Sequence, residues 1–449
     1  MIGNVKYVDS NTNNIGLIPE NWGVSKVKFA LSQIKDGTHG TFPRTTEGRP
    51  LLSAKNVYSD SIIISETESM ISEEDYIEIT KNGFPKKGDL LLTTVGTIGR
   101  VYLYDLDEPL AFQRSVAFLR LSKNYNPRYY FYYFQSDHYL EELMCYAKTS
   151  AQSGVYMGDV AKTHIVVPPK ELQAKIADFL DIETLKINSV IKDKERMIRL
   201  LEQQRQSIII EAVTKGLNRN AKMKDSGIEW IGEIPEHWST LSLKHIASEK
   251  KNSFVDGPFG SDLKNEEYVD SGVPVIQLNN IRKGKLRITS MNFVTEEKSE
   301  QLKRHIAYPG DLVIAKMASP IARSAVVPET YQKYVIVADC IKLKLKENYL
   351  NQYINYVMNT PFIIAQAESF ANGTTRSRVN LSIIKNLKLP IPNLEEQKEI
   401  VSYLTLKVSE VNYLISAIEN QIQKLKEYRQ SLIYEVVTGK IDVRDMELD

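Results

Sequence analysis

The segment RQSIIIEAVT, residues 205–214, recurs as RQSLIYEVVT at residues 429–438, an offset of 224. Both copies end a long stretch with helical periodicity. Stepping by alternate fours and threes from Ile176 meets seven apolar residues in eleven, and the series that starts at Ile400 keeps the same register. An apolar stripe with a 3.5-residue repeat is typical of a coiled-coil seam. The two stretches therefore predict two long helices that pair with each other.

A second repeat lies upstream of each helical stretch. The segment DSGIEWIGEIPEHW, residues 225–238, echoes residues 9–22 at an offset of 216, and both copies contain Ile-Pro-Glu-x-Trp. A chain with two similar halves of this size is suited to performing one task at two places. The sequence thus predicts a pseudo-two-fold internal repeat.

Each helix of about 40 residues would be roughly 60 Å long at 1.5 Å per residue. Antiparallel pairing would place the two globular parts at opposite ends of this rod, and we expect that arrangement. Parallel pairing, which would bring the globular parts side by side, stays open at this point. So does an arrangement in which each helix packs against a separate partner.

Length and composition indicate a multidomain protein of ordinary globular type. The chain has 449 residues, 42% of them hydrophobic and 25% charged, with a net charge of +1. It contains no run of 18 apolar residues, and its first residues lack the layout of a signal peptide, so we expect a cytoplasmic protein without a membrane partner. The near-neutral charge means that any nucleic-acid binding must come from local patches or be shared with a partner.

The predicted fold class is mixed α/β, with two globular domains separated by the two long helices, which form an antiparallel coiled coil. Dense turn signals between short apolar runs indicate strands in the globular parts. The predicted segments are a first domain (1–169), a central helix (170–217), a linker with a second domain (218–393), a distal helix (394–441) and a tail (442–449).

Within the first globular part, three apolar runs predict strands, at 62–64, 90–92 and 116–119. The ladder of aromatic and aliphatic residues from Tyr129 to Met144 predicts a helix, and Pro127 suits its first turn.

Sequence signatures of catalysis are missing. The chain has no phosphate-binding loop, no dinucleotide fingerprint, no His-Glu-x-x-His, no Cys-x-x-Cys and no Asn/Asp-Pro-Pro-Tyr/Phe of the amino-methyltransferases. Its six histidines show no metal-ligand spacing. The sequence therefore predicts a chain without catalytic residues, metal or cofactor of its own.

Three pairs of loops occupy matched places in the two halves and are rich in Gly, Thr, Ser, Asn and Arg. We call them the first loops (35–44 and 256–263), the second loops (93–100 and 315–323) and the third loops (149–156 and 372–378). Glycine lets a backbone approach a ligand closely, and amides and short polar side chains can contact phosphate oxygens while Arg or Asn contacts a base edge. Plain turn chemistry is an equally simple explanation for any one loop alone.

The loop set nevertheless predicts a DNA-binding surface in each half. The candidate residues are Lys35, Thr38, His39, Arg44, Thr97, Arg100, Arg114, Ser153, Gly260, Ser261, Asn279, Asn280, Arg282, Lys316, Arg323, Arg376 and Arg378. Arg376 and Arg378 are the strongest of these, because a guanidinium can bind phosphate or guanine bidentately.

These features together resemble the specificity (S) subunits of type I restriction-modification systems, over nearly the whole chain. No single motif is specific, but their order, repeated twice, is. The motifs are Ile-Pro-Glu-x-Trp at 18–22 and 234–238, Gly-Asp-Leu at 88–90 and 310–312, the proline-rich segments that end the globular parts at 167–169 and 390–392, and the helical sequence from Glu396 to Gly439.

The resemblance implies two target recognition domains, each binding one half of a split, asymmetric double-stranded DNA sequence. It also implies that two methyltransferase subunits dock on the long helices and carry adenine methylation with S-adenosylmethionine, and that cleavage belongs to restriction subunits where these are present. The first half departs from the pattern, since Ala151-Gln152-Ser153-Gly154 lacks the paired arginines of the second. Candidate pairing and docking residues are Ile187, Met197, Leu201, Arg205, Ile208, Val411, Ile418, Leu425, Arg429 and Leu432.

Two other functions compete with DNA recognition. The chain could be a coiled-coil spacer that presents two domains to protein partners without nucleic acid. It could also be a self-sufficient nuclease or methyltransferase, which the missing motifs disfavour.

Overall fold

Two helices of more than forty residues dominate the secondary structure: a central helix, Lys170–Lys215, and a distal helix, Leu394–Val437. In this computed structural model the described residues are 6–12, 14–81, 85–148, 153–317, 319–370, 378–444 and 446. They divide into a first unit, Met1–Glu195 with Glu419–Asp449, and a second unit, Arg196–Ile418. Each unit therefore combines one globular part with a piece of both long helices.

The helices pair within the first unit through polar contacts as well as apolar burial. The Arg429 guanidinium donates to the side-chain oxygen of Asn188, and the Lys194 ammonium donates to that of Gln421 at 2.7 Å. Moving forward along the central helix thus means moving backward along the distal helix. This confirms the predicted antiparallel pairing.

An equivalent polar pair lies within the second unit, where Arg205 donates to the side-chain oxygen of Asn412. Arg205 and Arg429 are 224 residues apart, as are Asn188 and Asn412. Each unit therefore holds one copy of the same arginine–asparagine contact, which fixes the helix register inside that unit.

Every second position of the predicted apolar stripe, beginning with Glu183 and Lys407, was misplaced by one residue. Its correct members include Ile187, Val411, Ile418 and Leu432, which are buried, whereas Met197 is 53% exposed. The positions one residue later are more buried than the predicted ones: Thr184, Ile191, Ala212, Ile415, Ile422 and Val436 are buried, and Ile198, Arg205 and Arg429 are half-buried. The predicted members Leu201, Ile208 and Leu425 are also half-buried. The heptad period was right and its second position was misplaced.

The globular part of the first unit is built on an antiparallel sheet and a smaller mixed sheet. The four-stranded sheet has the spatial order Leu31–Asp36, Val116–Leu121, Leu90–Thr93, Val101–Leu103. The three-stranded sheet has the order Met70–Ile71, Arg49–Leu52, Ala111–Phe112, and its last pair is parallel. Two-stranded sheets join Tyr7–Asp9 with Leu17–Pro19 and Gly23–Lys26 with His164–Val167.

The second unit repeats this plan with a fuller second sheet. Its first sheet has the order Phe254–Asp256, Cys340–Leu343, Leu312–Ala315, Ser324–Val326, and its second the order Asn292–Val294, Val273–Ile276, Tyr334–Ile336, Ile306–Ala307. Two-stranded sheets join Met223–Asp225 with Glu233–Pro235, Ser239–Ser242 with Lys388–Ile391, and Ile281–Arg282 with Lys285–Leu286.

Short helices cover these sheets. Those of the first unit are Val27–Ala30, Glu73–Lys81, Pro127–Gln135, Asp137–Cys145 and Met157–Val160. Those of the second are Leu243–Ile246, Glu296–Gln301, Asn351–Met358, Pro361–Ser369 and Leu381–Asn386. Short 3₁₀ turns occur at Ala54–Asn56, Asn265–Glu267 and Lys303–His305. Among the described residues, no helix is long and apolar enough to cross a membrane.

Two local predictions for the first unit need correction. The expected single helix from Tyr129 to Met144 is interrupted at the buried Ser136, whose hydroxyl donates to the Tyr133 carbonyl. Pro127 does occupy the first helical turn, as predicted. Residues 62–64 form one side of a turn rather than a strand, with a single bridge from Ile62 to Val57.

Each globular part is joined to the C-terminal end of a long helix in its own unit. In the first unit, the buried Tyr129 hydroxyl donates to the Val437 carbonyl at 2.8 Å. In the second unit, the buried Tyr353 hydroxyl donates to the Pro390 carbonyl at 2.9 Å and lies 3.5 Å from the Val213 carbonyl. Val437 and Val213 lie in the last turn of their helices, where backbone carbonyls have no intrahelical partners.

The repeated Ile-Pro-Glu-x-Trp motif belongs to the same junctions. Gly439 follows the distal helix with φ +74°, and an added Cβ there would lie 2.6 Å from Pro19 and 2.9 Å from Trp22. Gly216 follows the central helix with φ +71°, next to Trp238. The motif is thus a structural joint, which explains why it recurs with the helices.

Candidate nucleic-acid interface

The first loops leave their sheets at a glycine that no other residue can replace without moving the chain. Asp36 and Asp256 each end the outer strand of a four-stranded sheet, and the glycine amide that follows donates to the neighbouring strand at 2.9 Å. An added Cβ would lie 2.2 Å from a backbone oxygen at Gly37 and 1.9 Å from one at Gly257. Both loops therefore start at a fixed distance from the sheet.

In the first unit all three loops come together. The Thr94 amide donates to the Ser115 carbonyl at 2.9 Å, and the Thr94 carbonyl accepts from the Val155 amide at 2.8 Å. The Arg114 amide donates to the Thr38 carbonyl at 3.0 Å. The segment around Arg114 thereby joins the first loop to the second, and the second loop joins the third.

These loops line a cavity of about 810 Å³ with a polar and aromatic wall. His39 and Arg114, both predicted, face it with exposed side chains, and His39 Nε2 lies 2.7 Å from the Asp36 carboxylate. Lys148 and Tyr156 also line it, with the Lys148 ammonium 5.2 Å from the centre of the tyrosine ring. Tyr156 is 65% exposed, so cations and an aromatic face are accessible together.

In the second unit the same backbone bonds recur around Lys316. Its amide donates to the Asp339 carbonyl at 2.9 Å, and its carbonyl accepts from the Val379 amide at 2.9 Å. The Lys316 ammonium lies 3.3 Å from the Asp256 carboxylate, and the Arg378 guanidinium donates to the Asp339 carboxylate at 3.0 Å. Lys316 is only 7% exposed, whereas Arg378 is exposed, so Arg378 is the cation that a ligand can reach.

Two predicted contact residues of the second unit instead hold a hairpin from inside. Asn280 is 2% exposed; its side-chain oxygen accepts from the Gln277 amide at 2.8 Å and its nitrogen donates to the Arg287 carbonyl at 3.0 Å. Arg323 is 7% exposed and donates to the Ile281 carbonyl at 2.8 Å. A buried polar group needs such partners, so direct DNA contact by these two side chains is not supported.

The remaining predicted residues lie on loop surfaces or at their edges. Arg100 is half-buried and stacks on Tyr58, its guanidinium carbon 4.7 Å from the ring centre. Lys35 and Thr38 are half-buried at the start of the first loop. The exposed residues are Arg44, Thr97, Ser153, Gly260, Ser261, Asn279 and Arg282. Arg376 lies outside the described residues.

Burial sets the titration of groups beneath the second-unit loops. It lowers the pKa of His305, whose Nδ1 lies 2.8 Å from the Asp256 carbonyl, and it raises the pKa of the Cys340 thiol to about 12. It also lowers the pKa of Arg323. In the described part of the chain, no three His, Cys, Asp or Glu side chains are grouped as a metal site.

The sequence matches the family model described as "Type I restriction modification DNA specificity domain" over residues 43–196 and again over 235–424. The Type I restriction enzyme MjaVIII specificity subunit of Methanocaldococcus jannaschii is 22% identical over 287 residues, which are 63% of this chain and 63% of that protein. The Type I restriction enzyme EcoBI specificity subunit of Escherichia coli is 20% identical over 452 residues, covering 97% of this chain and 90% of that protein.

A solved structure from work on complex assembly and conformational transition of the type I R-M system is similar in fold. Its TM-score is 0.66 at 16% identity, with 94% of this chain and 99% of that chain covered.

Proposed function

Because the chain belongs to the type I restriction-modification DNA specificity family, we propose that it binds an asymmetric, bipartite double-stranded DNA target with one recognition domain per half-site. We assign the recognition domains to residues 1–169 and 218–393. The region between the half-sites is not contacted base by base, and the paired helices set its length. With half-sites about one DNA turn apart, the centres would be separated by roughly 34 Å.

The observation that carries this proposal is the matched loop arrangement. Thr94 and Lys316 make the same two backbone bonds at equivalent places, so the backbone under the loops is shared while the side chains differ. Arg114, Lys148 and Tyr156 line the loop cavity of the first unit, and Arg378 is exposed on the third loop of the second. Two surfaces with one backbone plan and different side chains suit two half-sites of different sequence.

We further propose that methyltransferase subunits dock on the long helices, with S-adenosylmethionine and the methylation chemistry in those partners. Restriction subunits would join where they are present. Each unit exposes apolar side chains on its helical parts outside the seam. They are Leu185, Val190 and Tyr428 in the first unit and Met197, Leu200, Tyr403, Leu406, Tyr413 and Leu414 in the second. We assign the docking of a protein partner to these exposed apolar side chains.

The test is methylation mapping and footprinting of the chain assembled with its methyltransferase subunits. We expect protection of two short half-sites with an unprotected spacer. Arg114→Ala should relax specificity in one half-site only and Arg378→Ala in the other, each by about 1–3 kcal/mol if the side chain contacts a base. Each variant is the control for the other.

A contiguous protected site, or loss of both half-sites in either variant, would contradict the assignment of one half-site per domain. Assembly with partners but no protected DNA would instead support the spacer function that competes with DNA recognition.

A further inference from the structure

The hairpin at 281–287 in the second unit, which we call the basic hairpin, carries an unusual concentration of charge. Strand Ile281–Arg282 pairs with strand Lys285–Leu286, and the turn passes through Gly284 at φ +78°. Its four cations, Arg282, Lys283, Lys285 and Arg287, are exposed. Within the described residues none of the four has an ion pair, and the Arg287 guanidinium donates to the Thr289 hydroxyl at 2.8 Å.

The first unit has a hairpin at the matching place, residues 57–63, anchored in the same way. Asn56 lies 224 residues before Asn280; its side-chain oxygen accepts from the Ser53 amide at 2.9 Å and its nitrogen donates to the Ile63 carbonyl at 2.9 Å. The Arg100 guanidinium lies 3.4 Å from the Val57 carbonyl, just as Arg323 donates to Ile281.

The two hairpins differ in charge although their anchors agree. The four cations of the basic hairpin correspond to Tyr58, Ser59, Ser61 and Ile63, and Asp60 replaces the turn glycine. Residues 281–287 therefore carry a formal charge of +4, from two arginines and two lysines, whereas residues 57–63 carry −1 from one aspartate. A shared structural role would need only the anchors, so the charge requires a separate explanation.

The basic hairpin is held rigidly beside the second loop. The Gly284 amide donates to the Ser324 carbonyl at 3.0 Å, and the Gly284 carbonyl accepts from the buried Asn355 side chain at 2.9 Å. Arg323, which holds the hairpin at Ile281, also donates to the Pro320 carbonyl in the second loop at 2.9 Å. The cations are thus fixed next to the loop set that we propose as the DNA-binding surface.

We infer that the basic hairpin binds DNA backbone phosphates and supplies affinity that does not depend on sequence. This inference rests on the proposed function and deepens it. Exposed ammonium and guanidinium groups that form no ion pair with the described residues suit phosphate oxygens, and each phosphate contact makes binding depend on salt. The basic hairpin therefore gives the second recognition domain a salt-dependent contact that the matching hairpin of the first domain lacks, although the chain's net charge is only +1.

The experiment compares the assembled complex of the chain and its methyltransferase subunits with one carrying Lys283→Gln and Lys285→Gln. Binding is measured against salt concentration on the mapped target and on a scrambled duplex of equal length. Two lost contacts should lower the slope of log affinity against log salt by about 1.8, and affinity at 0.1 M salt by up to roughly 60-fold, since each contact contributes a slope of about 0.9. Both duplexes should lose the same factor.

The matched control is Ser59→Gln with Ser61→Gln, which alters the equivalent positions of the uncharged hairpin and should leave the slope unchanged. An unchanged slope in the lysine variant, with the bipartite footprint intact, would overturn the inference while the proposed function stands. Loss of a methyltransferase subunit from the lysine variant would also overturn it, because the hairpin would then bind a protein. Absence of a bipartite footprint in the unaltered complex would refute the proposed function itself.

Discussion

Substitution of Gly439 by alanine tests the joint between the distal helix and the first globular part. Gly439 has φ +74°, a conformation that costs an alanine about 1–2 kcal/mol. The new Cβ would also lie 2.6 Å from Pro19 and 2.9 Å from Trp22, so both contacts must be relieved by a shift of the backbone or of these two side chains. Overpacking of this kind costs about 1–3 kcal/mol. The two costs together predict a loss of about 2–5 kcal/mol in the stability of the first unit.

Two other glycines calibrate this prediction. Gly216 has nearly the same φ, +71°, but the closest atom to an added Cβ is in the Trp238 side chain at 3.1 Å, which needs only a small adjustment. Gly216→Ala should therefore lower stability by little more than the conformational cost of about 1–2 kcal/mol. This loss should fall on the second unit. Gly158, in the helix Met157–Val160, has nothing within 4 Å of an added Cβ and should tolerate alanine without loss.

Urea denaturation of the full-length variants, followed peptide by peptide with hydrogen exchange, separates the two units. We expect faster exchange around Tyr129 and Val437 in Gly439→Ala, around Tyr353 and Val213 in Gly216→Ala, and in neither place for Gly158→Ala. If Gly439→Ala were no more destabilising than Gly216→Ala, the steric part of the reasoning would be wrong. If its effect appeared in the second unit, the assignment of the joint would be wrong.

Two further predictions concern pH and helix length. Burial lowers the pKa of His138 from 6.5 to about 4, so the unfolded chain takes up a proton first as the pH falls. The first unit should lose up to about 3 kcal/mol between those pH values, and His138→Leu should flatten this dependence in urea titrations. Deleting residues 193–199 together with 418–424 removes one matched heptad, about 10 Å. Methylation mapping should then find unchanged half-sites and a spacer about three base pairs shorter, whereas deletion from one helix alone should disrupt pairing.

The coiled coil shows how far sequence periodicity reaches. The period of 3.5 residues, the 224-residue register and the antiparallel direction were predicted, but Met197 was placed in the seam and Ile191 was not. Counting apolar residues cannot separate two stripes one residue apart when both are partly apolar. The half-buried Arg205 and Arg429 add to the difficulty, because their asparagine partners become visible only when the other helix is in place.

The loops show a different limit. Their number and matched positions could be predicted, because turns and glycines are local signals. The roles of individual side chains could not. Arg323 and Arg282 are both arginines in loop-like sequence. Arg323 is buried among backbone carbonyls and holds the basic hairpin, whereas Arg282 is exposed on that hairpin. Lys148 and Tyr156 were missed because nothing local marks them as neighbours of Arg114.

The duplication therefore has a physical logic that goes beyond two copies of one fold. The bonds that place the loops run through backbone atoms at Thr94 and Lys316, and the bonds that place the two hairpins run through one side-chain amide at Asn56 and Asn280. Backbone bonds do not depend on which side chain projects from the loop, so the exposed positions can change without loss of the arrangement. The exposed residues of the two halves differ, and so does the charge on the matched hairpins. A protein that bound two copies of the same half-site would need no such divergence, so the difference between the halves itself favours a target with two unlike parts.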